Sequence, residues 1–159
     1  MKTRLLLALL AVVVATGLAA GNPIAWPVPL TFKGYDVALV TLDEPHPVAQ
    51  PNGQVLTYRQ AYLVRLFGDF AAGHGPAPAI YLGDERIPEF GSFASGLYFL
   101  IYEKTKLDGL AGREIRYTWY NDASIHNLGR RFEPNRFDLT TPVPLREALT
   151  RPLVPPRLP

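Results

Sequence analysis

LYFLIYE at residues 97–103 and REIRYTWY at residues 113–120 are the two segments that decide the fold class of this chain. Successive side chains of a β-strand point to opposite faces, so Leu97, Phe99 and Ile101 share one face of the first segment. The second segment alternates in the same way, and both contain the aromatic and β-branched residues that favour strands. Both segments are therefore predicted to be β-strands.

We predict that these two strands pair as an antiparallel hairpin with two different faces. The apolar face would set Leu97 opposite Trp119, Phe99 opposite Tyr117 and Ile101 opposite Ile115. The other face would set Tyr98 opposite Thr118, Leu100 opposite Arg116 and Tyr102 opposite Glu114. Because cross-strand neighbours lie about 4.5–5.5 Å apart, this second face would carry a contiguous strip of Tyr98, Leu100 and Tyr102 bordered by Arg116.

The strip of Tyr98, Leu100, Tyr102 and Arg116 is the candidate binding surface. Tyrosine combines a large apolar area with a polar tip, and recognition surfaces are enriched in such side chains. The alternative is that the C-terminal tail or another loop covers the strip, in which case it is ordinary core.

The sixteen prolines all follow residue 22. This density disfavours long helices, because proline removes a backbone donor and clashes with the preceding turn. Residues 35–42 are predicted to form a strand buried on both faces, and residues 43–53 a loop ending in a Pro-Asn-Gly turn. Residues 57–70 fit helical spacing and also permit a strand at 61–67 that Gly68 stops. We choose the strand because the neighbouring segments are strand-like.

Shorter elements are expected in the remainder of the chain. Residues 79–82 and 85–87 should form a hairpin around Gly83-Asp84, a glycine-led two-residue connection. The other expectations are a loop with one helical turn at 104–112, irregular structure at 121–136, a last strand at 137–140 and a helical turn at 145–149.

About seven short strands separated by turn signals predict an all-β fold, namely an antiparallel immunoglobulin-like β-sandwich. The sandwich domain would span residues 22–141. An export segment would precede it at residues 1–21. A proline-rich tail would follow at residues 142–159, with little means of packing from Arg151 onward. The chain has no cysteine, so its core must be held by burial and not by the disulfides common in small secreted domains.

The N-terminus has the parts of a secretory signal peptide. Lys2 and Arg4 precede an apolar run at 5–20 that ends in small residues, and these three features define such signals. We expect the mature N-terminus between Ala20 and Asn22. The alternative is an uncut membrane anchor, since an apolar run of about 16–17 residues approaches the length that spans a bilayer. Both interpretations predict a domain outside the cytoplasm.

Removal of the signal leaves a neutral chain. Without Lys2 and Arg4, 14 basic residues remain against 14 acidic ones. This balance argues against nucleic-acid binding and against attraction to an anionic membrane. Membrane contact is expected only through an uncut N-terminal segment.

Motifs for catalysis, metals and cofactors are missing from the sequence. The three histidines lack metal-ligand spacing, no cysteine nucleophile exists, and the serines of GSFASG at 91–96 do not match a nucleophile elbow. No cofactor is predicted.

The sequence favours an exported, non-catalytic binding or structural module whose partner is a protein or polysaccharide of the cell envelope. One alternative is a hydrolase of envelope polymers, in which loops bring acids such as Glu89 and Asp122 together with a histidine. The other is a membrane-anchored subunit of an envelope complex.

Overall fold

The fold is seen in a computed structural model that describes residues 31–69, 79–88, 90–93, 96–118 and 125–159. The export segment at 1–21, the histidine at 74 and the acids Glu89 and Asp122 lie outside these residues. The strands are β1 (Thr31–Ala49), β2 (Val55–Asp69), β3 (Ala79–Leu82), β4 (Glu85–Ile87), β5 (Gly91–Phe93), β6 (Gly96–Ile101), β7 (Glu114–Thr118), β8 (Ile125–Arg131) and β9 (Val143–Pro144). The helices are α1 (Lys104–Gly109) and α2 (Leu145–Thr150), and a 3-10 turn covers Pro134–Arg136. Among the described residues, no helix is long and apolar enough to cross a membrane.

The strands form two sheets, which confirms the predicted all-β, sandwich-like fold. The first sheet has the order β5-β6-β2-β1-β9, and the second has the order β4-β3-β7-β8. Neighbouring strands are antiparallel except for the short parallel contact between β1 and β9. The described residues contain nine strands, against the seven or so predicted.

The predicted hairpin between the two defining segments is wrong. Strand β6 pairs with β2 and β5 in the first sheet, whereas β7 pairs with β3 and β8 in the second. Alternation along a strand determines which side chains share a face, but it does not determine the partner strand. Phe99 and Ile115 still belong to one core, which they enter from opposite sheets.

The main core lies between the two sheets. From the first sheet it receives the inward side chains of β1, β2 and β6, and from the second those of β3, β4 and β7. Its largest fully buried members include Phe99, Phe132, Leu66, Ile80 and Ile115. The sheets therefore bury a common apolar layer, the arrangement expected of two packed sheets.

A second apolar layer covers the outer face of the first sheet, which points away from the second sheet. Val40 and Leu63 are fully buried there, and Ala148 of α2 packs on them. Val37, three residues before Val40, belongs instead to the main core. The prediction that residues 35–42 are buried on both faces is confirmed, because α2 covers the face that would otherwise meet water.

The long hairpin of β1 and β2 corrects one prediction and confirms another. Residues 61–67 are strand, as predicted, but β2 runs from Val55 to Asp69 and does not stop at Gly68. The loop predicted for 43–53 is mostly wrong, because β1 continues to Ala49 and only residues 50–54 form the turn. Gly53 of that turn has a φ of 83°, a conformation that glycine adopts without steric cost.

Two other hairpin and turn predictions are confirmed. Strands β3 and β4 pair around Gly83, whose φ is 62°. Helix α2 begins at Leu145, directly after Pro144. The predictions for 121–140 are wrong in part, since residues 125–131 are strand and residues 137–140 are not.

Backbone groups at the start of the C-terminal tail bond to a buried ion pair, although residues 151–159 are nearly all exposed, as expected of a tail that packs little. The carboxylate of Asp36 and the guanidinium of Arg65 pair across β1 and β2, and both side chains are 3% exposed. Arg65 Nε donates to Asp36 Oδ1 at 2.8 Å, and its Nη1 donates to the carbonyl of Arg151 at 2.6 Å. The backbone N–H of Val154 donates to Asp36 Oδ2 at 3.0 Å. The pair thus holds the start of the tail on the outer face of the first sheet.

Candidate functional site

The structure separates the four residues of the predicted binding strip. Tyr98, Leu100 and Tyr102 follow one another along the outer face of the first sheet. Arg116 lies in the second sheet, where its Nη1 donates to Asp84 Oδ1 at 2.9 Å. Arg116 is therefore not beside the three strip residues.

The three remaining strip residues do not form an open surface. Tyr98, Leu100 and Tyr102 are each half-buried and pack against the apolar layer that contains α2. Other parts of the chain therefore cover the strip in part, which was the alternative to an open binding surface. The part of this region that reaches solvent is a set of aromatic rings, and Tyr102 of the strip is one of them.

This set is a row of four rings, Phe90, His46, Tyr102 and Tyr58, which we call the aromatic row. The rings of His46 and Tyr102 are nearly parallel, with centroids 5.3 Å apart and an interplanar angle of 6°. Phe90 meets His46 edge-on at 6.0 Å and also lies 5.7 Å from Tyr98. Tyr58 lies 5.2 Å from Tyr102 on the other side. Stacked and edge-on pairs at such distances stabilise one another beyond simple burial.

An irregularity in β1 brings His46 into the aromatic row. Thr41 lies opposite Gln60, but the next paired residue, His46, lies opposite Tyr58. Residues 42–45 therefore bulge opposite the single residue Arg59. Bulges of this kind re-aim side chains and are common beside functional sites.

Phe90 is positioned by a backbone contact to the neighbouring strand. Its N–H donates to the carbonyl of Tyr98 at 2.9 Å, so the chain passes β6 before it enters β5. The Phe90 side chain is 48% exposed. An exposed phenylalanine held at a fixed place on an aromatic surface is suited to contact a partner.

A cleft of about 290 Å3 opens between the aromatic row and α2. His46, Phe90 and Tyr102 line one side, and Asp43, Glu44, Leu145 and Arg146 line the rest. Arg146 Nε donates to Asp43 Oδ2 at 2.6 Å. Glu44 forms no ion pair with any residue that the structure describes, so its exposed carboxylate is available to a ligand.

A larger cleft of about 630 Å3 lies on the other side of Tyr102. Its lining consists of Leu39 and Thr41 of β1, residues 57–62 of β2, and Tyr102 and Lys104. Tyr102 therefore lines both clefts, and the aromatic row separates them.

The phenols of the row remain protonated under physiological conditions. Burial raises the pKa of Tyr102 above its ordinary value near 10. The pKa of Tyr58 is also raised, chiefly because its hydroxyl donates to the carboxylate Oε1 of Glu103 at 2.7 Å. Both hydroxyls are therefore neutral; the proton of Tyr58 is already donated to Glu103, whereas that of Tyr102 can be donated to a ligand.

The described residues contain no group of three histidine, aspartate or glutamate side chains close enough to bind a metal ion. In the smaller cleft, His46 lies near Asp43 and Glu44, but no hydrogen bond joins its ring to either carboxylate among the described contacts. Asp43 is engaged by Arg146. The cleft thus has the lining of a binding site, with aromatic rings beside charged groups.

His46, Phe90 and Tyr58 were not predicted as members of the site. Tyr58 precedes the predicted strand at 61–67, and its place beside Tyr102 could have been recognised only from the full length of β2 and its pairing with β6. No pattern in the sequence indicated a role for His46 or Phe90, because each is placed by a local departure from regular strand structure.

No protein-family model, curated protein sequence or solved structure matches this chain. The functional interpretation therefore depends on the geometry of the aromatic row and its two clefts.

Proposed function

We propose that this chain is an exported, non-catalytic binding module of the cell envelope or extracellular space, built on an immunoglobulin-like sandwich, and that the aromatic row is its binding surface. The observation that carries the proposal is the placement of four rings side by side between two clefts, with Phe90 48% exposed. The neutral charge of the mature sequence fits a partner that is neither nucleic acid nor anionic membrane.

Aromatic rings suit a binding surface because of their area and their stiffness. Their side chains offer large contact areas and have few torsions to fix, so binding costs little conformational entropy. The charged groups beside the row, including Glu44 and the ion pair of Asp43 with Arg146, supply directional contacts at its rim. An apolar centre with a polar rim is the usual anatomy of an interface.

Replacement of Phe90 tests the binding surface. We expect Phe90→Ser to weaken retention of the chain on envelopes isolated from its producing cells by roughly tenfold or more, since loss of a central interface aromatic costs more than about 1 kcal/mol. Retention is measured by co-sedimentation over a range of protein concentrations. Leu158→Ser is the matched control, because Leu158 is 86% exposed and lies outside the aromatic row. Equal retention of both variants would contradict the proposal.

Export has its own test. We expect the protein recovered outside the cytoplasm to begin between Ala20 and Asn22, because the small residues there suit signal peptidase cleavage. Intact-mass measurement decides this. A mass that retains Met1 in a membrane fraction would instead support the membrane-anchored subunit, and a full-length protein in the cytoplasm would contradict both interpretations.

A second candidate function is hydrolysis of an envelope polymer. It is favoured by the smaller cleft, whose lining includes Asp43, Glu44 and His46. Two carboxylates or a carboxylate and a histidine can share acid–base work when a substrate lies between them. Release of soluble fragments from isolated envelope polymer by the unmodified chain, abolished in Glu44→Gln, would favour this candidate over the binding module.

A further inference from the structure

The edge of β2 is open along part of its length. Strand β2 spans Val55–Asp69, but its pairs with β6 cover only residues 62–67. Beyond Ile101 the chain leaves the sheet and enters α1. Among the described residues, the segment 55–61 therefore has β1 on one side and no strand on the other.

This open edge lacks the features that usually protect a strand edge. The corresponding part of β1 contains Pro45 and Pro47, which have no N–H to offer another strand. The segment 55–61 contains no proline, and its only charged residue is Arg59. Val55 and Leu56 are 62% and 43% exposed. Proteins commonly block such edges with proline or several charges. In the hairpin of β1 and β2, the edge of β1 is therefore blocked by its prolines, and the edge of β2 is left available.

The larger cleft reaches this open edge. It is lined by Leu39 and Thr41 of β1, by residues 57–62 of β2, and by Tyr102 and Lys104, so it extends from the β1–β2 hairpin to the free edge of β2. Adjacent strands of a sheet lie about 4.8 Å apart, so a strand added beside β2 would lie at the edge of the cleft. One face of that strand would contact the rings of Tyr58 and Tyr102.

The charge at the cleft indicates the chemistry of the added strand. The guanidinium of Arg59 forms no ion pair with any residue in the described part of the chain. The Lys104 ammonium is also at the cleft, paired on one side with Asp108. An extended peptide with an acidic side chain opposite Arg59 would supply the missing negative charge.

We propose that the open edge of β2 binds an extended, acidic segment of a partner protein as an additional strand of the first sheet. Backbone hydrogen bonds to residues 55–61 would provide affinity, and the acidic side chain at Arg59 would provide register, as in other complexes formed by strand addition. The proposal rests on the binding function proposed above and narrows the partner to a protein.

Selection from a displayed library of random ten-residue peptides on the purified full chain tests the proposal. We expect the selected peptides to combine an Asp or Glu with flanking β-branched residues. Arg59→Glu should weaken their binding at least about tenfold, the loss of a charge pair in a cleft. Arg86→Glu is the control, because Arg86 is an exposed arginine of β4 in the other sheet. The proposal is overturned if no peptide is enriched, or if the selected peptides are neutral or basic. It is also overturned if Arg59→Glu and Arg86→Glu weaken binding equally.

Methylation of alternate backbone nitrogens in one selected peptide distinguishes strand addition from simple occupation of the cleft. The N–H groups of an added strand point alternately toward β2 and toward solvent. Methylation of the nitrogens that face β2 should therefore abolish binding, and methylation of those that face solvent should preserve it. If both methylated peptides still bind, strand addition is overturned. It is also overturned if the chain forms a dimer that the peptide does not dissociate, because a second copy of the chain would then occupy the edge. Because this assay contains no envelope, its failure would leave the retention result for Phe90→Ser unchanged.

Discussion

Replacing Arg65 by methionine is expected to lower the free energy of unfolding by about 3–5 kcal/mol, because it leaves a buried carboxylate without its partner. The side chains of Asp36 and Arg65 are both 3% exposed. The change also removes the donors to the carbonyls of Arg151 and Pro152, so the tail loses its anchor. Urea unfolding monitored by tryptophan fluorescence measures the loss.

The double variant Asp36→Leu with Arg65→Met is the control for this prediction. It removes both charges together, and such paired replacements are often close to neutral. We therefore expect the double variant to recover much of the stability lost by Arg65→Met. Truncation after Thr150 should cost less than Arg65→Met, because water can then replace the tail's hydrogen bonds to the ion pair. A loss below about 1 kcal/mol in Arg65→Met, a value typical of exposed ion pairs, would contradict the role assigned to the pair.

Replacing Phe99 by alanine is expected to cost about 3–5 kcal/mol, the usual range for phenylalanine in a core. Phe99 is 1% exposed and lies between the two sheets. The cavity left by the ring cannot close, because close-packed side chains from both sheets surround it. Denaturant unfolding of the variant measures the change.

Tyr98→Ala is the matched control for Phe99→Ala, since Tyr98 is the preceding residue on the opposite face of β6. It is only half-buried, so we expect a loss of about 1–2 kcal/mol, typical of substitutions outside the core. Equal losses in the two variants would mean that the outer face of the first sheet is packed as tightly as the core. In that case Tyr98 could take no part in binding.

The local elements of this fold could be predicted because their causes are local. Phe99 and Ile115 were assigned to a common core from alternation alone, and both are buried in it. The strand character of 61–67 and the hairpin at Gly83 were also predicted correctly, since strand propensity and a glycine at positive φ act over a few residues, whereas the length of β2 was underestimated. The described residues contain no long helix, as the proline density predicted.

The candidate site could be predicted only in part. Tyr98, Leu100 and Tyr102 were placed on one face because every second residue of a strand points to the same side. Arg116 was wrongly added, because the predicted hairpin would have set it opposite Leu100. His46 was missed, because a bulge in β1, and not regular alternation, brings its ring onto Tyr102.

The sequence by itself determined that this is an all-β chain without cysteine, which side chains of β6 and β7 face the core, and where several strands begin and turn. Only the tertiary structure decided which strands are partners, since many pairings satisfy the same alternation. It also decided how the aromatic row is assembled and where the tail lies. Arg65 holds the tail through the backbone carbonyls of Arg151 and Pro152, and every residue has a carbonyl, so no side-chain pattern could have marked that contact.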